Sequence, residues 1–548
     1  MGSLTSKQAY WGVSILFFLL YFSIVFRNII NIPEYDDYDA LLKFLSDFTL
    51  KSSFLEKFEI LFSQHGEHRI LFTRLIVAIG YLITGGINLS VIVAISNLLF
   101  IGIGVVFCLL IKRHKDIYIF ASSAVFILFN GQNFESSTWS MVGLANIGTL
   151  LLAMLSIYLT LQNKKSYFIV GIILSFFTTF SNGNGILLLP TLILAFILQR
   201  KKKELIYTII IFGITIIVYF FNFQKSISNI SDIISNLPIL IFNFFNFVGC
   251  NLWIPSLKII PFLYGLFIVF TYVFAFFSKL YKKNIIWFAL FTFMLLSAAA
   301  VAVYRLNPEE MGPLRYRIYG SMFTVLTLMF YFENRESFKI RKLFNFTIIP
   351  IGIFSILCTF LYLGKVNNKT ENKKASAYSW HCCKNGLMSL DVSKDIKTLE
   401  EIENLGFYRM PRIPLKTMVS KVDKTSNKWI NPTLSLQSGI DYIKEEEGYI
   451  IIRGWAYPEN GNMNFTNISA WLLSDGNHIR ISTYYERRID IIFDLNKREC
   501  GFFAVIPKSS IPEGSYELGI EMQKKYILPV RNLTGRTNIH INIAERVS

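Results

Sequence analysis

The stretch that decides the fold is residues 88–111, NLSVIVAISNLLFIGIGVVFCLLI, which is followed directly by KRHK at residues 112–115. A helix that crosses the hydrocarbon core of a bilayer needs about 20 predominantly apolar residues, and this run supplies them. Lys and Arg concentrate in the loops that stay in the cytoplasm. The stretch therefore predicts a transmembrane helix whose C-terminal end faces the cytoplasm.

The composition of the whole chain indicates a lipid environment. Of the 548 residues, 53% are apolar, 17% are charged and 51 are Phe, which is more apolar surface than a soluble domain can bury. The net charge of +17 is of a kind found in nucleic-acid-binding proteins. Here, however, the basic residues lie in short clusters between apolar runs, which is the positive-inside pattern. We expect membrane lipids as partners and no nucleic acid.

Five basic clusters fix the predicted topology, because all five face the cytoplasm only if eleven apolar runs cross the membrane. This count requires that Ile70–Gly86 and Leu237–Trp253 do not cross, so we expect both to be interfacial or re-entrant helices on the outer side. The N-terminus is then cytoplasmic, the first run is a retained helix, and everything after Leu363 lies outside. The clusters are Lys112–Lys115, Lys164–Lys165, Arg200–Lys203, Lys279–Lys283 and Arg335–Lys342. The runs are Ala9–Ile30, Asn88–Ile111, Ile117–Phe129, Met141–Leu161, Tyr167–Phe180, Gly185–Leu198, Leu205–Phe223, Ile259–Phe277, Ile285–Tyr304, Ile318–Phe332 and Phe344–Leu363.

The chain changes character after the last run. Short alternating segments such as YIIIRGWAYP and GFFAVIPKS, separated by turn residues, are typical of antiparallel strands. We therefore predict a transmembrane domain (1–363), a linker and mixed segment (364–436) and a β-sandwich (437–548), with Trp455 and Trp471 more probable as core residues than as carbohydrate contacts. Cys500 either pairs with Cys382 or Cys383 in an oxidising compartment, or all three are free thiols.

The first outer loop carries two adjacent carboxylates, Asp36 and Asp37. If both are buried at a membrane boundary, their proton affinity rises and suits a general base that acts on a hydroxyl. The alternative is a solvated acidic loop or a helix cap. The same loop continues with Glu67, His68 and Arg69, which favour hydrogen bonding to a polar ligand or positioning of the interfacial helix over metal binding.

Two further outer loops contain candidate binding residues. Arg305, Arg315 and Arg317 depart from the positive-inside pattern, and we expect them to bind an anionic group such as a lipid-linked phosphate, or else the carboxylates of the same loop. Gln132 and Trp139 are an amide and an aromatic ring of the kind that binds sugars. The alternative for Trp139 is the aromatic belt at the membrane interface.

These motifs together resemble those of the GT-C superfamily, the polyprenyl-phosphate-sugar-dependent glycosyltransferases, and within it the bacterial O-antigen serotype-converting glucosyltransferases. The motifs are YDDYD at residues 35–39, HGEHRILFTRL at 65–75, FSNGNGILLLP at 180–190 and YR…LRYRIYGS at 304–321. The C-terminal RGWAYP, ERRID and GFFAVIP resemble a small β domain attached to such transferases. The resemblance implies inverting transfer of a sugar, with glucose expected, from polyprenyl phosphate to a periplasmic glycan at the bacterial inner membrane. It also implies a multi-pass helical bundle followed by a C-terminal domain in the periplasm.

The resemblance also implies roles for the candidate residues. Asp36 or Asp37 deprotonates the acceptor hydroxyl, Arg305, Arg315 and Arg317 stabilise the departing phosphate, and the remaining candidates line the site. No cofactor is implied with certainty, and a divalent metal is left open because some members of the superfamily use one. The alternatives are a flippase for a lipid-linked sugar and a non-catalytic anchor that presents the β domain.

Overall fold

The structure is a computed structural model that describes the chain between residues 6 and 543 with several gaps. The described residues are 6–111, 114, 116–224, 235–253, 257–304, 314–384, 386–389, 391–424, 436–458, 465–474, 477–486, 488, 500–524 and 532–543. They form two compact units: a helical unit, Met1–Ile29 with Lys43–Val366, and a β-rich unit, Ile30–Leu42 with Asn367–Ser548.

The helical unit contains the apolar helices that the sequence predicts. Among the described residues, seven helices are long and apolar enough to cross a membrane, or eight if the pair Ile117–Leu128 and Gly131–Thr138, bent by 46°, is one span. By length and composition, these helices are consistent with the predicted multi-pass membrane protein. The other three predicted crossings correspond to Lys165–Thr179, Gly183–Gln199 and Arg317–Asn334, none of which meets the same criterion, and eleven crossings stay a prediction.

The surface of the helical unit is apolar, as expected for a protein in lipid. Large side chains such as Ile217 (71% exposed) and Leu361 (73%) point outward, while aromatic side chains such as Phe100, Phe291 and Phe323 fill the interior. A soluble protein does not expose so many large apolar side chains. The helices described are α1 Ser6–Arg27, α2 Phe44–Leu50, α3 Phe54–Phe62, α4 Leu71–Thr84, α5 Leu89–Leu110, α6 Ile117–Leu128, α7 Phe134–Thr138, α8 Ser140–Val142, α9 Gly148–Thr160, α10 Lys165–Thr179, α11 Leu188–Gln199, α12 Lys202–Phe220, α13 Leu237–Val248, α14 Ile259–Phe277, α15 Ile285–Tyr304, α16 Arg317–Asn334, α17 Arg341–Phe346, α18 Ile348–Cys383 and α19 Val392–Asn404.

Helix ends follow ordinary capping chemistry. At α3, the Ser53 side chain accepts from the Glu56 N–H and the Glu56 carboxylate accepts from the Ser53 N–H, which is a capping box. At α4, Gly85 takes a left-handed conformation after the last turn, which suits glycine because it has no Cβ. Ile70–Gly86 and Leu237–Trp253, predicted not to cross, contain the short helices α4 and α13.

The β-rich unit contains two antiparallel sheets in the predicted part of the chain. One has the order β11-β10-β6-β7-β3 and the other β4-β5-β9-β8, and both supply residues to one apolar cluster. The strands are β3 Val422–Asp423, β4 Leu436–Glu446, β5 Tyr449–Pro458, β6 Phe465–Ser474, β7 Asn477–Ser482, β8 Tyr484–Glu486, β9 Gly501–Pro507, β10 Gly514–Lys524 and β11 Asn532–Ile543, while β1 Gln64–His65 and β2 His68–Arg69 form a hairpin in the helical unit.

The β-rich unit differs from the predicted domain in two ways. Helix α18 continues to Cys383, so the predicted linker begins as helix, and Ala375 and Tyr378 near its end pack with Ile451 and Phe503 on the second sheet. The first-loop segment Ile30–Leu42 also belongs to this unit. Its side chains Ile32, Tyr38, Leu41 and Leu42 are buried, and this burial explains why the segment folds with the distant C-terminal residues rather than remaining a solvated loop. The six cysteines are free thiols; Cys500 is buried, and Cys382 and Cys383 are exposed.

Candidate functional site

The motif HGEHR forms a tight hairpin in the helical unit. Gln64 pairs with Arg69 and His65 pairs with His68, and Gly66 in the turn has a φ of 53°. Glu67 lies exposed in the turn, whereas His68 is half-buried. The hairpin thus separates the two candidates, with Glu67 toward solvent and His68 toward the body of the unit.

Arg69 and Arg74 hold the hairpin and the following helix in place through backbone carbonyls. Arg69 Nε donates to the Tyr219 carbonyl at 2.9 Å and Nη2 to the Phe221 carbonyl at 2.6 Å. Arg74 Nη1 donates to the Ile60 carbonyl at 2.9 Å. These contacts support the interpretation that the two arginines position this region. The two Arg69 contacts direct its guanidinium to the C-terminal end of α12.

His68 lies against the loop SNGNG, residues 181–185. A Cβ built on Gly183 would be 3.4 Å from His68 Cβ, which is an ordinary van der Waals distance, so the two residues are neighbours. Beside it, Asn182 Nδ2 donates to Asn146 Oδ1 at 3.1 Å. Asn146 Nδ2 in turn donates to the Arg315 carbonyl at 3.1 Å. Three segments far apart in sequence are therefore connected.

A fourth segment, containing Gln132, joins this network through the arginine loop. Ser136 Oγ donates to the Arg315 carbonyl at 3.3 Å. Two residues on, Arg317 is 3% exposed and its Nη1 donates to Gln132 Oε1 at 3.3 Å and to the Tyr362 hydroxyl oxygen. Because buried ionisable groups are costly in a membrane protein, a buried arginine at the start of α16 is a functional-site candidate.

The amide nitrogen of Gln132 is oriented by a hydrogen bond as well. Gln132 Nε2 donates to Cys358 Sγ at 3.3 Å. The neighbouring Asn133 donates to Ser321 Oγ at 3.0 Å, and Ser321 Oγ donates to Asn251 Oδ1 at 3.2 Å. This second chain of hydrogen bonds ties the segment of Gln132 to α16, which carries Arg317, and so fixes the position of both candidates.

The remaining candidates of the helical unit have separate positions. Trp139 is 3% exposed, so it is not a lipid-facing residue of an aromatic belt. Arg315 is half-buried and its guanidinium carbon lies 5.2 Å from the centre of the Tyr316 ring, within the range of a cation–π contact. Arg305 lies outside the described residues.

Sequence reasoning missed the neutral polar residues that connect these loops. Asn146, Ser136, Ser321 and Tyr362 lie inside or beside apolar runs and received no role. The available signal was an amide or hydroxyl within a predicted span, where each polar group needs a partner because lipid offers none. That signal identifies such residues, although it does not identify their partners.

Asp36 and Asp37 lie in the β-rich unit and have different surroundings. Asp37 is fully buried, and its Oδ2 accepts a hydrogen bond from the Glu34 N–H at 3.2 Å. Asp36 is half-buried. Asp37 therefore holds the turn from Glu34 to Asp37, whereas Asp36 is the more accessible of the two carboxylates.

The same segment contains a buried ion cluster that the sequence did not indicate. Glu34 is fully buried, and its carboxylate oxygens lie 2.8 Å from Lys369 Nζ and 2.6 Å from Lys373 Nζ. Although burial opposes ionisation, the two ammonium groups hold the pKa of Glu34 below its ordinary value. The first-loop segment is thus attached to α18 by two ion pairs.

Among the described residues, no group of three or more His, Cys, Asp and Glu side chains is arranged to hold a metal ion. Comparison with protein-family models, with curated proteins and with solved structures finds no match.

Proposed function

We propose that the protein is a GT-C-type glycosyltransferase of the bacterial inner membrane, which transfers glucose from polyprenyl phosphate to a periplasmic glycan such as O-antigen. The observation that carries this proposal is the meeting of four loop segments in one polar network of the helical unit. The network includes the loop of Asn182, the segment of Asn146, the segment of Gln132 and the loop of Arg315 and Arg317. His68 lies next to the loop of Asn182, at Gly183. Such convergence of distant polar residues is typical of a binding site.

The proposed topology has eleven crossings and a cytoplasmic N-terminus. The β-rich unit, which we propose to be an antiparallel sandwich, then lies in the periplasm, together with the first-loop segment that folds with it. The positive-inside distribution of the five basic clusters supports this orientation.

On the donor side, Arg317 and Arg315 are proposed to bind the phosphate of the lipid-linked sugar. A guanidinium forms strong, directional hydrogen bonds to phosphate oxygens. The contacts of Arg317 with Gln132 and Tyr362 orient it in advance, and fixed donors aimed at developing charge are the most effective form of electrostatic catalysis.

On the acceptor side, Asp36 is proposed as the general base, with Asp37 holding the turn beneath it. Asp36 removes the proton of the acceptor hydroxyl as the oxygen bonds to the anomeric carbon. The bond between that carbon and the phosphate oxygen breaks at the same time, and its electron pair leaves with the polyprenyl phosphate. One displacement of this kind inverts the anomeric configuration.

The test is a transfer assay with the purified protein in lipid vesicles, radiolabelled polyprenyl-phosphate glucose and a polysaccharide acceptor. We expect Asp36→Asn to lower the rate about a hundredfold to ten-thousandfold, because general bases contribute that much. We expect Arg317→Ala to lower it about a hundredfold to a thousandfold, with partial recovery in Arg317→Lys. Arg315→Ala should act mainly at low donor concentration.

A matched control is Arg335, which is also buried and lies at the other end of α16, where it contacts Asp116 at 2.9 Å. Arg335→Ala should lower the yield of folded protein and leave the turnover of that protein unchanged. Full transfer by Asp36→Asn, Asp37→Asn and their double variant would remove both residues as the base. Movement of the donor across the bilayer without any transfer would favour the flippase, and neither movement nor transfer would favour the anchor.

A further inference from the structure

A second candidate binding site lies on the β-rich unit, on the face of the four-stranded sheet that points away from the shared core. Along β5, Ile450, Ile452 and Ala456 enter the apolar cluster shared by the two sheets. Alternation then directs Trp455 and Tyr457 to the opposite face. Both are half-buried, although rings of this size usually bury most of their area.

The two rings lie side by side along the sheet. Their planes are within 18° of parallel and their centroids are 5.5 Å apart. Both lean toward β4: a Cβ built on Gly439, the cross-strand partner of Trp455, would be 2.6 Å from the indole Nε1, and the Tyr457 hydroxyl donates to Gln437 Oε1. Gly439 therefore leaves the space in which the indole lies flat.

A β-bulge places charged groups on β4 beside these rings. Ile440 pairs with Gly454 and Tyr442 with Arg453, so Asp441 is the extra residue. Bulges of this kind redirect a side chain and are frequent beside functional sites. The Asp441 carboxylate is bound by both terminal nitrogens of Arg488, with Nη2 at 3.0 Å from Oδ1.

Arg453 anchors the bulge from the next strand. Its Nη1 lies 3.6 Å from Asp441 Oδ2 and its Nε donates to Glu486 at 2.7 Å. Its Nη2 is buried and has no hydrogen-bond partner among the described residues. Two aromatic rings, an amide and the Asp441 carboxylate thus lie on β4 and β5, and Arg488, which follows β8, binds that carboxylate.

Trp471, on the five-stranded sheet, is a buried tryptophan with which Trp455 can be compared. It is 3% exposed, and its indole N–H donates to Glu521 at 2.9 Å. The expectation of a core residue therefore fits Trp471, whereas Trp455 is half-exposed and lies flat on the sheet surface.

We propose that Trp455, Tyr457, Gln437 and Asp441 form a binding site for pyranose rings of a neutral glycan chain. The C–H faces of a pyranose stack on flat aromatic rings, and its hydroxyls accept from and donate to the amide and the Asp–Arg pair. The inference goes beyond the proposed transfer reaction, because glycan binding here is measurable without any transfer. It gives the β-rich unit a function of its own, which is to hold a glycan chain.

The experiment uses the full chain in lipid nanodiscs free of maltoside detergent, with maltohexaose, cellohexaose and chitohexaose as probes. Saturation-transfer NMR and calorimetry should detect at least one probe, with a Kd on the order of 1 mM. Trp455→Ala and Tyr457→Ala should each weaken it by about tenfold or more. Gly439→Ala should weaken it comparably, because the added methyl displaces the indole while every aromatic ring is retained.

Two controls keep the result interpretable when a variant folds poorly. Tyr457→Phe retains the ring and should retain binding within about threefold, and Trp471→Phe removes an indole from the other sheet and should leave binding unchanged. Absence of binding by the wild-type protein to all three probes would overturn the site. So would unchanged binding in folded Trp455→Ala, Tyr457→Ala and Gly439→Ala. Loss of glucose transfer with glycan binding intact would count against the proposed reaction alone.

Discussion

The helical unit and the β-rich unit both contain buried charge, and they accommodate it in different ways. In the β-rich unit, fully buried Glu34 lies within 2.8 Å of two lysine ammonium groups. In the helical unit, buried Arg317 donates to the Gln132 amide and the Tyr362 hydroxyl. Opposite charges surround the buried carboxylate in the first case, whereas in the second an amide and a phenol orient a buried guanidinium.

This difference indicates two kinds of role. A buried charge matched by opposite charges fixes one conformation, because removing either partner leaves the other uncompensated. A guanidinium whose hydrogen-bonding direction is set in advance by an amide and a phenol is suited to the anionic ligand that we propose for Arg317. Variants in the first region should therefore act on stability, and variants in the second on transfer.

The largest effect on stability is expected from Glu34→Gln. The change leaves Lys369 and Lys373 next to a neutral amide in a buried place, so the β-rich unit should lose about 3–5 kcal/mol of unfolding free energy. Hydrogen exchange of Tyr449–Pro458 in the full-length protein measures this loss.

The matched control for Glu34 is Asp39, in the same segment, which lies 2.6 Å from Lys394 in an exposed pair. Asp39→Asn should cost less than about 1 kcal/mol, because water screens exposed ion pairs. Equal costs for Asp39→Asn and Glu34→Gln would contradict the distinction between buried and exposed pairs.

The dependence of stability on pH should have two opposite arms in the β-rich unit. Burial raises the pKa of Asp395 from 3.8 to about 6, against an opposing hydrogen bond from Ser389. The folded state then holds this proton more tightly than the unfolded state, so stability falls as pH rises from about 4 to about 6.

Glu34 has the opposite effect on the pH dependence of stability. Because its pKa in the folded state is below the ordinary 4.5, its contribution is present above pH 4.5 and is lost as pH falls through the lowered value. Thermal unfolding across pH should therefore show a maximum between the arms. Asp395→Asn should flatten the upper arm and Glu34→Gln the acid arm, and a profile unchanged by either variant would refute the assignment.

An intermediate effect is expected at the far end of α16. Asp116 lies 2.9 Å from buried Arg335 and is itself partly exposed, so Asp116→Asn should cost about 1–3 kcal/mol. Transfer per folded molecule should not change. A specific loss of transfer in this variant would show that the two ends of the helix do not have separate roles.

A loss of stability similar to that of Asp116→Asn, but with a clear effect on transfer, is expected from Asn146→Ala. The variant loses the bonds that connect Asn182 to the Arg315 carbonyl, each contributing about 0.5–1.5 kcal/mol. The donor KM should rise several-fold. Asn97→Ala is the control, because Asn97 bonds the Val93 and Ser137 carbonyls at similar distances. Equal changes in KM would indicate a general loss of packing.

The local sequence pattern was sufficient to predict much of the secondary structure. The apolar runs correspond to α1, α5 and the other membrane-length helices, and YIIIRGWAYP and GFFAVIPKS lie in β5 and β9. The two-residue loop between β4 and β5, in which Glu447 and Gly448 have φ values of 52° and 79°, was not predicted from the sequence.

The local sequence pattern did not predict which residues the candidate residues contact. Gln132, Arg315 and Arg317 were identified as candidate residues. Their contacts with Asn146, Ser136 and Tyr362, which connect them, were not predicted. Asp36 and Asp37 were treated as equivalent, and only the buried turn distinguishes them, since Asp37 accepts from the Glu34 N–H.

The sequence by itself determined that this chain is a multi-pass membrane protein with a β-rich C-terminal part, because hydropathy and alternation are properties of neighbouring residues. Only the tertiary structure decided that Ile30–Leu42 folds with the C-terminal residues and that Gln132 contacts Arg317. The physical reason is that a buried charge or amide must find its partner in space. In this protein the partners are separated by hundreds of residues along the chain, as Glu34 and Lys373 are.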